Sequence, residues 1–266
     1  MKLKIGQKKL LYSFLEKKQL KNGDTKSPIN YIKAKMNYIK KIKRLYNLSE
    51  NDNYGFSENE IAALEKRLNI QLPEKFREYY LELGKEENLN YSFNRLLKPD
   101  EIELTDDNYL VFYEENQNVA VWGIKKEDLI EDNPPVYGNY DTIEQSEWEV
   151  ETQTTENFFF FMAVFSGTLG GLQYNGNYMG EIEPEIVKFV EENWKLVPEI
   201  SRDNQKVYSD QFYDVISLSF DQNNKCLAAF IGSSSQERFD EILDCIEIDW
   251  SYLSYDDEEA YEDEEE

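Results

Sequence analysis

The sequence contains no histidine. That absence removes the commonest general base, every Ser-His or Cys-His nucleophile arrangement, and any zinc site built on imidazole. Cysteine is nearly as scarce. Cys226 and Cys245 make no disulfide framework, and each sits in an apolar strand or helix pattern where a thiol behaves as a small hydrophobe, which fits a reducing cytosol. Long hydrophobic runs are missing too: the longest, Phe158 to Phe165, is far short of a membrane span. The N-terminus alternates lysines and lacks both a continuous apolar stretch and a small-residue cleavage site. The expectation is a soluble, cytoplasmic protein with no membrane contact.

Carboxylates are abundant. With 54 Asp and Glu against 29 Lys and Arg, the formal charge is −25, which disfavours contact with a bare phosphate backbone and points to basic partners or to solubility. So many acids guarantee chance pairs, and Glu114 beside Glu115, or Asp106 beside Asp107, reads as a solvated face before it reads as an acid/base couple. No metal site is expected. Asp221-Gln222-Asn223-Asn224 begins like a calcium loop, but Cys226 stands where an EF-hand needs Gly, and Gly232 where it needs Glu, so a hairpin turn is predicted.

The charge is unevenly placed. Residues 1–50 carry fourteen basic against three acidic residues, and the remaining 216 carry fifteen against fifty-one, a split of +11 and −36. Leu10, Leu11, Phe14 and Leu15 predict a short helix. Ile32, Met36, Ile39, Ile42 and Tyr46 predict a second, with Lys33, Lys40, Lys43 and Arg44 on its other face. A contact with nucleic acid or anionic lipid is the sharper reading of this basic segment. An appendage lying on the acidic body is favoured, because whole-molecule charge repels polyanions within about one Debye length, on the order of 10 Å. At the other end, nine of the eleven residues from Asp256 to Glu266 are acidic, and such a block is expected to be disordered. Its functional alternative is a polyanion mimicking nucleic acid towards a basic protein.

Between these ends, 40% apolar and 14% aromatic residues are the composition of a folded protein. Asn51 to Gly55 reads as a linker. Ser57 and Glu60 form a capping box opening a helix with Ile61, Leu64 and Leu68 inward. Pro73 suits the first turn of the next helix, which presents Phe76, Tyr80 and Leu83 and ends at Gly84 in a left-handed cap. Tyr109 to Tyr113 and Val119 to Ile124 predict a central β-hairpin, apolar on both faces and so covered on both. Thr154 caps an apolar helix from Phe158 to Phe165, which should be buried all round before a Gly-rich stop that is no phosphate loop. After it come a strand with a tight turn at Asn175-Gly176, a helix opened by Pro184, and a hairpin of Val215–Phe220 with Cys226–Ile231. A last helix, with Phe239, Ile242, Leu243 and Ile246 inward, is capped by Ser234 and Glu237. The periodicity leaves open whether this last part is a second lobe or an extension of the first sheet.

The series Glu60 to Leu68, Ile70-Gln71-Leu72-Pro73-Glu74, Phe76-Arg77-Glu78-Tyr79-Tyr80 and Leu83-Gly84 resembles the opening of the SMI1/KNR4, or SUKH, superfamily. The continuation is similar too: Phe112 to Gln117, Val121-Trp122-Gly123-Ile124, Pro134-Pro135-Val136-Tyr137 and Trp148. The resemblance spans about residues 57 to 175 and implies an α+β fold, a mixed or antiparallel sheet with flanking helices, here preceded by a basic helical segment. The expected organisation is a basic N-terminal extension 1–53, a SUKH-like core 54–180, a further α+β portion 181–255 and a tail 256–266.

The resemblance further implies a non-catalytic, cofactor-free immunity protein that binds and neutralises a bacterial toxin, often a nuclease; fungal relatives act in cell-wall regulation. An acidic surface suits such a basic partner through electrostatic steering. The residues expected to meet it are Glu114, Glu115, Trp122, Tyr137, Asp141 and Trp148, with core packing as the competing role for the two tryptophans. The alternative is an intracellular scaffold or adaptor, whose basic N-terminal helices engage one partner and whose acidic body engages another.

Overall fold

The computed structural model of the chain describes residues 36–140 and 147–255. The helix expected near residues 10–15, Ile32 and Lys33, Asp141, and the acidic block 256–266 lie outside the described residues.

Helix α1 (Tyr38–Leu45) starts where the Asn37 side chain accepts the Lys40 N–H at 3.0 Å, and it buries Ile39, Ile42 and the following Tyr46, as their spacing predicts. Its basic residues are only partly open to solvent: Lys40 stays exposed, paired with Glu50 at 3.2 Å, while two others turn inward. Lys43 is only 3% exposed; its ammonium donates to Glu82 and to the Asp52 carbonyl, both at 2.9 Å. Lys41 is also buried, 5.0 Å and 4.9 Å from the ring centres of Phe160 and Phe212 and 3.4 Å from Glu199. A four-carbon stem lets each lysine pack its length while its head finds a partner. These cations tie α1 to the body. The helix shares one core with residues beyond 54, so the linker at 51–55 marks no break in packing.

Helix α2 (Glu58–Leu68) opens with the expected reciprocal box: Glu60 N–H donates to the Ser57 hydroxyl and Ser57 N–H to the Glu60 carboxylate. In α3 (Glu74–Leu83), Phe76, Tyr80 and Leu83 are buried as predicted, but Pro73 holds the cap position instead of the first turn. Gly84 is not left-handed either; its φ is −61°. A side chain there would begin 2.7 Å from the Phe56 ring and 2.8 Å from the Tyr80 carbonyl, so the glycine serves close packing. A short helix, α4 (Glu87–Asn90), follows.

The first sheet contains β1 (Arg95–Leu96), β2 (Glu103–Leu104), β3 (Tyr109–Glu114), β4 (Val121–Lys125), β5 (Val136–Asn139) and β6 (Glu149–Thr152). All pairings are antiparallel, in the order β1-β3-β4-β5-β6, with β2 also on β3. The β3–β4 hairpin is central, as its composition predicts. Coverage on both faces is not found: Leu110 and Phe112 are fully buried, while Tyr109 and Val111 are only half-buried. The register runs from Val111 opposite Gly123 to Tyr113 opposite Trp122, which leaves Phe112 as an extra bulged residue. That bulge lets Phe112 and Tyr113 both enter the core, so the apolar run did not need a second covered face.

Helix α5 (Thr155–Ser166), capped by the Thr154 hydroxyl, is buried nearly all round. Phe159 stacks on Tyr79 with ring centres 3.8 Å apart, and Phe160 meets Phe212 at 5.5 Å. A π-type turn at Gly167–Gly171, with Gly170 at φ +118°, leads into a second sheet. This sheet comprises β7 (Tyr174–Met179), β8 (Lys195–Leu196), β9 (Gln205–Ser209), β10 (Asp214–Phe220), β11 (Cys226–Ser233) and β12 (Tyr252–Leu253). Its order is β12-β7-β11-β10-β9-β8, again antiparallel. Helices α6 (Pro184–Asn193) and α7 (Gln236–Cys245) cover it, with Val190, Phe239 and Ile242 against Ile216, Leu218 and Ile231.

The chain is thus α+β, with antiparallel sheets and flanking helices. The last part extends no strand of the first sheet; it completes a sheet that begins at Tyr174, ahead of the expected division at 180/181. Asn175 and Gly176 form no turn, but pair with Gly232 and Ile231 inside that sheet. The expected Ser234–Glu237 box is absent as well: Ser235 holds the cap position without a side-chain bond, and the Ser234 hydroxyl donates to the Leu45 carbonyl of α1 at 2.8 Å. Tertiary contact outcompeted the local motif. The Asp221 loop is the predicted hairpin turn, its carboxylate accepting the N–H groups of Asn223 and Lys225.

Candidate functional site

Strand alternation sends every second residue of β3, β4 and β5 away from α5. On this open face Val111, Gly123 and Tyr137 lie in one cross-strand row, continued by Val150 of β6, which is 50% exposed. Tyr109 and Lys125 form the next row. Gly123 leaves a flat spot: a side chain there would begin 2.9 Å from the Leu110 carbonyl and 3.5 Å from the Trp148 ring. Without one, the indole of Trp148 lies over the strand and stacks on Tyr109, ring centres 4.1 Å apart and planes 11° off parallel. Tyr137 meets Tyr109 edge-on at 5.5 Å.

Each outer aromatic is held by a carboxylate. The Trp148 indole N–H donates to Asp107 at 2.5 Å, and the Tyr137 hydroxyl donates to Asp128 at 3.1 Å. Partial burial opposes ionisation of Asp107, but bonds from the Thr105 hydroxyl and the Trp148 indole outweigh it and hold the carboxyl below its usual range. Burial, and then the neighbouring Asp128 charge, push the Tyr137 phenol up. Tyr109 is pushed up chiefly by burial. Both phenols therefore stay neutral at physiological pH, and the charge on this face comes from its carboxylates and from Lys125, which is ion-paired with Glu127. Two rigid, partly wet rings beside two acidic side chains suit a cation, which gains from the ring face and the carboxylate together.

The six residues expected to form a site fall into different places. Tyr137 and Trp148 come together on the open face. Trp122 is on the opposite one, 6% exposed between Tyr113 and Phe158 with its indole N–H unpartnered, so it is a core residue and no partner anchor. Glu114 is not a free exposed acid: half-buried, it takes Arg95 at 2.6 Å. Glu115 accepts the N–H groups of Gln117 and Val119 and so shapes the hairpin loop. Asp141 lies outside the described residues. Tyr109, Gly123, Asp107 and Asp128 were missed. The signal for Tyr109 was its two-residue spacing from Val111, hidden by the apolar residues on both sides; nothing in the sequence ties Asp107 to residue 148, forty-one positions on.

Among the described residues, no group of three His, Cys, Asp or Glu side chains is placed to hold a metal ion, and no helix is long and apolar enough to cross a membrane. Compared with family models, with curated proteins and with solved structures, the chain finds no match.

Proposed function

We propose that the chain is a non-catalytic binding protein of the SUKH type, an immunity protein that captures and neutralises a basic toxin, of which a nuclease is the natural example. The observation that carries this reading is the aromatic face of the first sheet, where Tyr109, Tyr137 and Trp148 are ordered by Asp107 and Asp128. A nuclease must present Lys and Arg to its substrate, and a chain of charge −25 draws such a surface in quickly. The rings then supply desolvated anchors of ~2 kcal/mol or more each, and the carboxylates set rate and specificity. The resemblance across residues 57 to 175 points the same way. Lys41 and Lys43 are committed within the fold, which leaves α1 little basic surface for the second partner that an adaptor needs.

Co-expression with the toxin-like product of an adjacent reading frame, scored by growth, tests the proposal. Wild type should rescue growth, while Trp148→Ala combined with Asp128→Lys, if soluble and folded, should not. A toxic neighbour left unchecked by wild type, or rescue undiminished in the double variant, overturns it.

A further inference from the structure

The segment from Lys126 to Asp132 has two sides. Asp128, in its 3-10 turn (Lys126–Ile130), holds Tyr137 of the aromatic face. On the other side Leu129 and Ile130 border an open groove of about 720 Å³, closed opposite by the α2–α3 turn. Ile70, Leu72, Pro73 and Leu129 supply the apolar part of its lining, and the remainder is mostly charged. Ile130 stands at its lip, 89% exposed.

A lone exposed isoleucine carries little weight. This one is held beside a groove with an apolar floor patch by fixed backbone: Lys126 N–H donates to the Asn108 carbonyl at 2.8 Å, Glu131 N–H to the Asp128 carbonyl at 3.0 Å, and Lys75 N–H of α3 to the Asp132 carbonyl at 3.0 Å. The groove is therefore preformed. Its rim is acidic. Arg77 is held by Glu58 at 2.5 Å and faces Glu65 at 3.7 Å, whereas the exposed Glu131 and Asp132 carboxylates have no ion-pair partner among the described residues. Lys126 is the cation left to oppose them.

We infer that this groove is a second docking site for the same basic partner, taking a Lys- or Arg-bearing segment that inserts one Leu- or Ile-like side chain beside Ile130. The inference rests on reading the chain as a binder of basic proteins. One partner can span both places, because a single 3-10 turn forms the edge of the aromatic face and the wall of the groove. A groove that takes one anchor side chain, next to a flat aromatic face, is the usual anatomy of a buried centre with a polar rim.

The test uses the full chain, isotopically labelled for amide NMR, and two capped hexapeptides: Lys-Leu-Lys-Lys-Leu-Lys, and the same peptide with Ser in place of Leu. The leucine peptide should shift the amides of Leu72, Leu129, Ile130 and Asp132. Ile130→Ser, at a position too exposed to disturb folding, should weaken it about ten-fold, and Leu227→Ser, at an exposed position of β11 in the second sheet, should leave its affinity unchanged. Equal binding of the serine peptide, or full affinity in Ile130→Ser, overturns the inference. Shifts confined to Tyr109 and Tyr137 overturn it while leaving the aromatic face as the binding surface. Failure of growth rescue instead removes the functional reading, whatever the peptides do.

Discussion

The two sheets are both antiparallel and both carry helices, yet they use their faces differently. The first buries one face under α3 and α5 and leaves the other to an aromatic row that finishes its own contacts with carboxylates. The second has one face under α6 and α7, while Val207 and Val215 on its other face join the core around α5. One of its ion pairs is enclosed: Asp214 meets Arg238 at 2.9 Å, and burial pushes its carboxyl up in spite of that cation. The difference assigns roles. A sheet covered on both sides can hold a shape, and a sheet with an open, ordered, acidic-aromatic face can meet a partner.

The joint between them is α5, and it offers the strongest test of the comparison. Phe159→Ala removes a fully buried ring stacked on Tyr79, and should cost about 3–5 kcal/mol. Because the core around α5 also takes Val207 and Val215 of the second sheet, urea unfolding should remain one transition whether followed by Trp148 beside the first sheet or by Trp194 beside the second. Separate midpoints for those two reporters would show two independently stable halves and break the comparison.

A smaller effect of opposite sign is expected where the second sheet reaches α1. In the β9–β10 turn Gln211 and Phe212 both have positive φ, at 58° and 63°, a pattern that favours Asn or Gly. Phe212 has a reason to stay, since its ring packs on Phe160 beneath Lys41. Gln211 is exposed, and only its backbone carbonyl meets Arg44. Gln211→Gly should therefore relieve strain and stabilise the protein by about 1 kcal/mol, read as a raised urea midpoint. A lowered midpoint would mean that the side chain, and not the backbone, makes the turn.

An effect of similar size, confined to one helix start, belongs to the first half. Bonds from the Ser57 N–H and hydroxyl, and then from Lys85, lower the Glu60 carboxyl from 4.5 to about 2. A carboxyl depressed in the folded state adds stability that is present above its unfolded value and is lost as pH falls through about 2. Glu60→Gln should flatten that acid limb of the stability curve, and Ser57→Ala should cost about 1 kcal/mol at neutral pH. An acid limb unchanged by Glu60→Gln would remove the capping box from the account. No such limb is expected from Asp214, whose shift runs the other way.

Local signals were read well where short-range chemistry completes them. The Ser57–Glu60 box, the Thr154 cap and the Asp221 loop all bond within four residues of themselves, and Pro184 opens α6 through its own fixed φ. The same kind of signal misled where a distant element offered a better contact: Ser234 bonds Leu45, Gly84 makes room for Phe56, and Asn175-Gly176 lies inside β7 instead of turning. The aromatic face was half legible. Tyr137 and Trp148 are conspicuous in the sequence, but Trp122 looks the same there, and only the register of β4 against β3 puts its ring on the inner side.

The sequence by itself determined the element types, the central hairpin, the buried α5 and the acidity of the body, because periodicity, capping chemistry and charge need no partner outside their own segment. Tertiary structure alone decided that there are two sheets, that α1 buries Lys41 and Lys43, and that residues 107, 109, 137 and 148 meet. Those outcomes depend on a bulge that shifts one register and on contacts between residues dozens of positions apart, whose energies no local window contains.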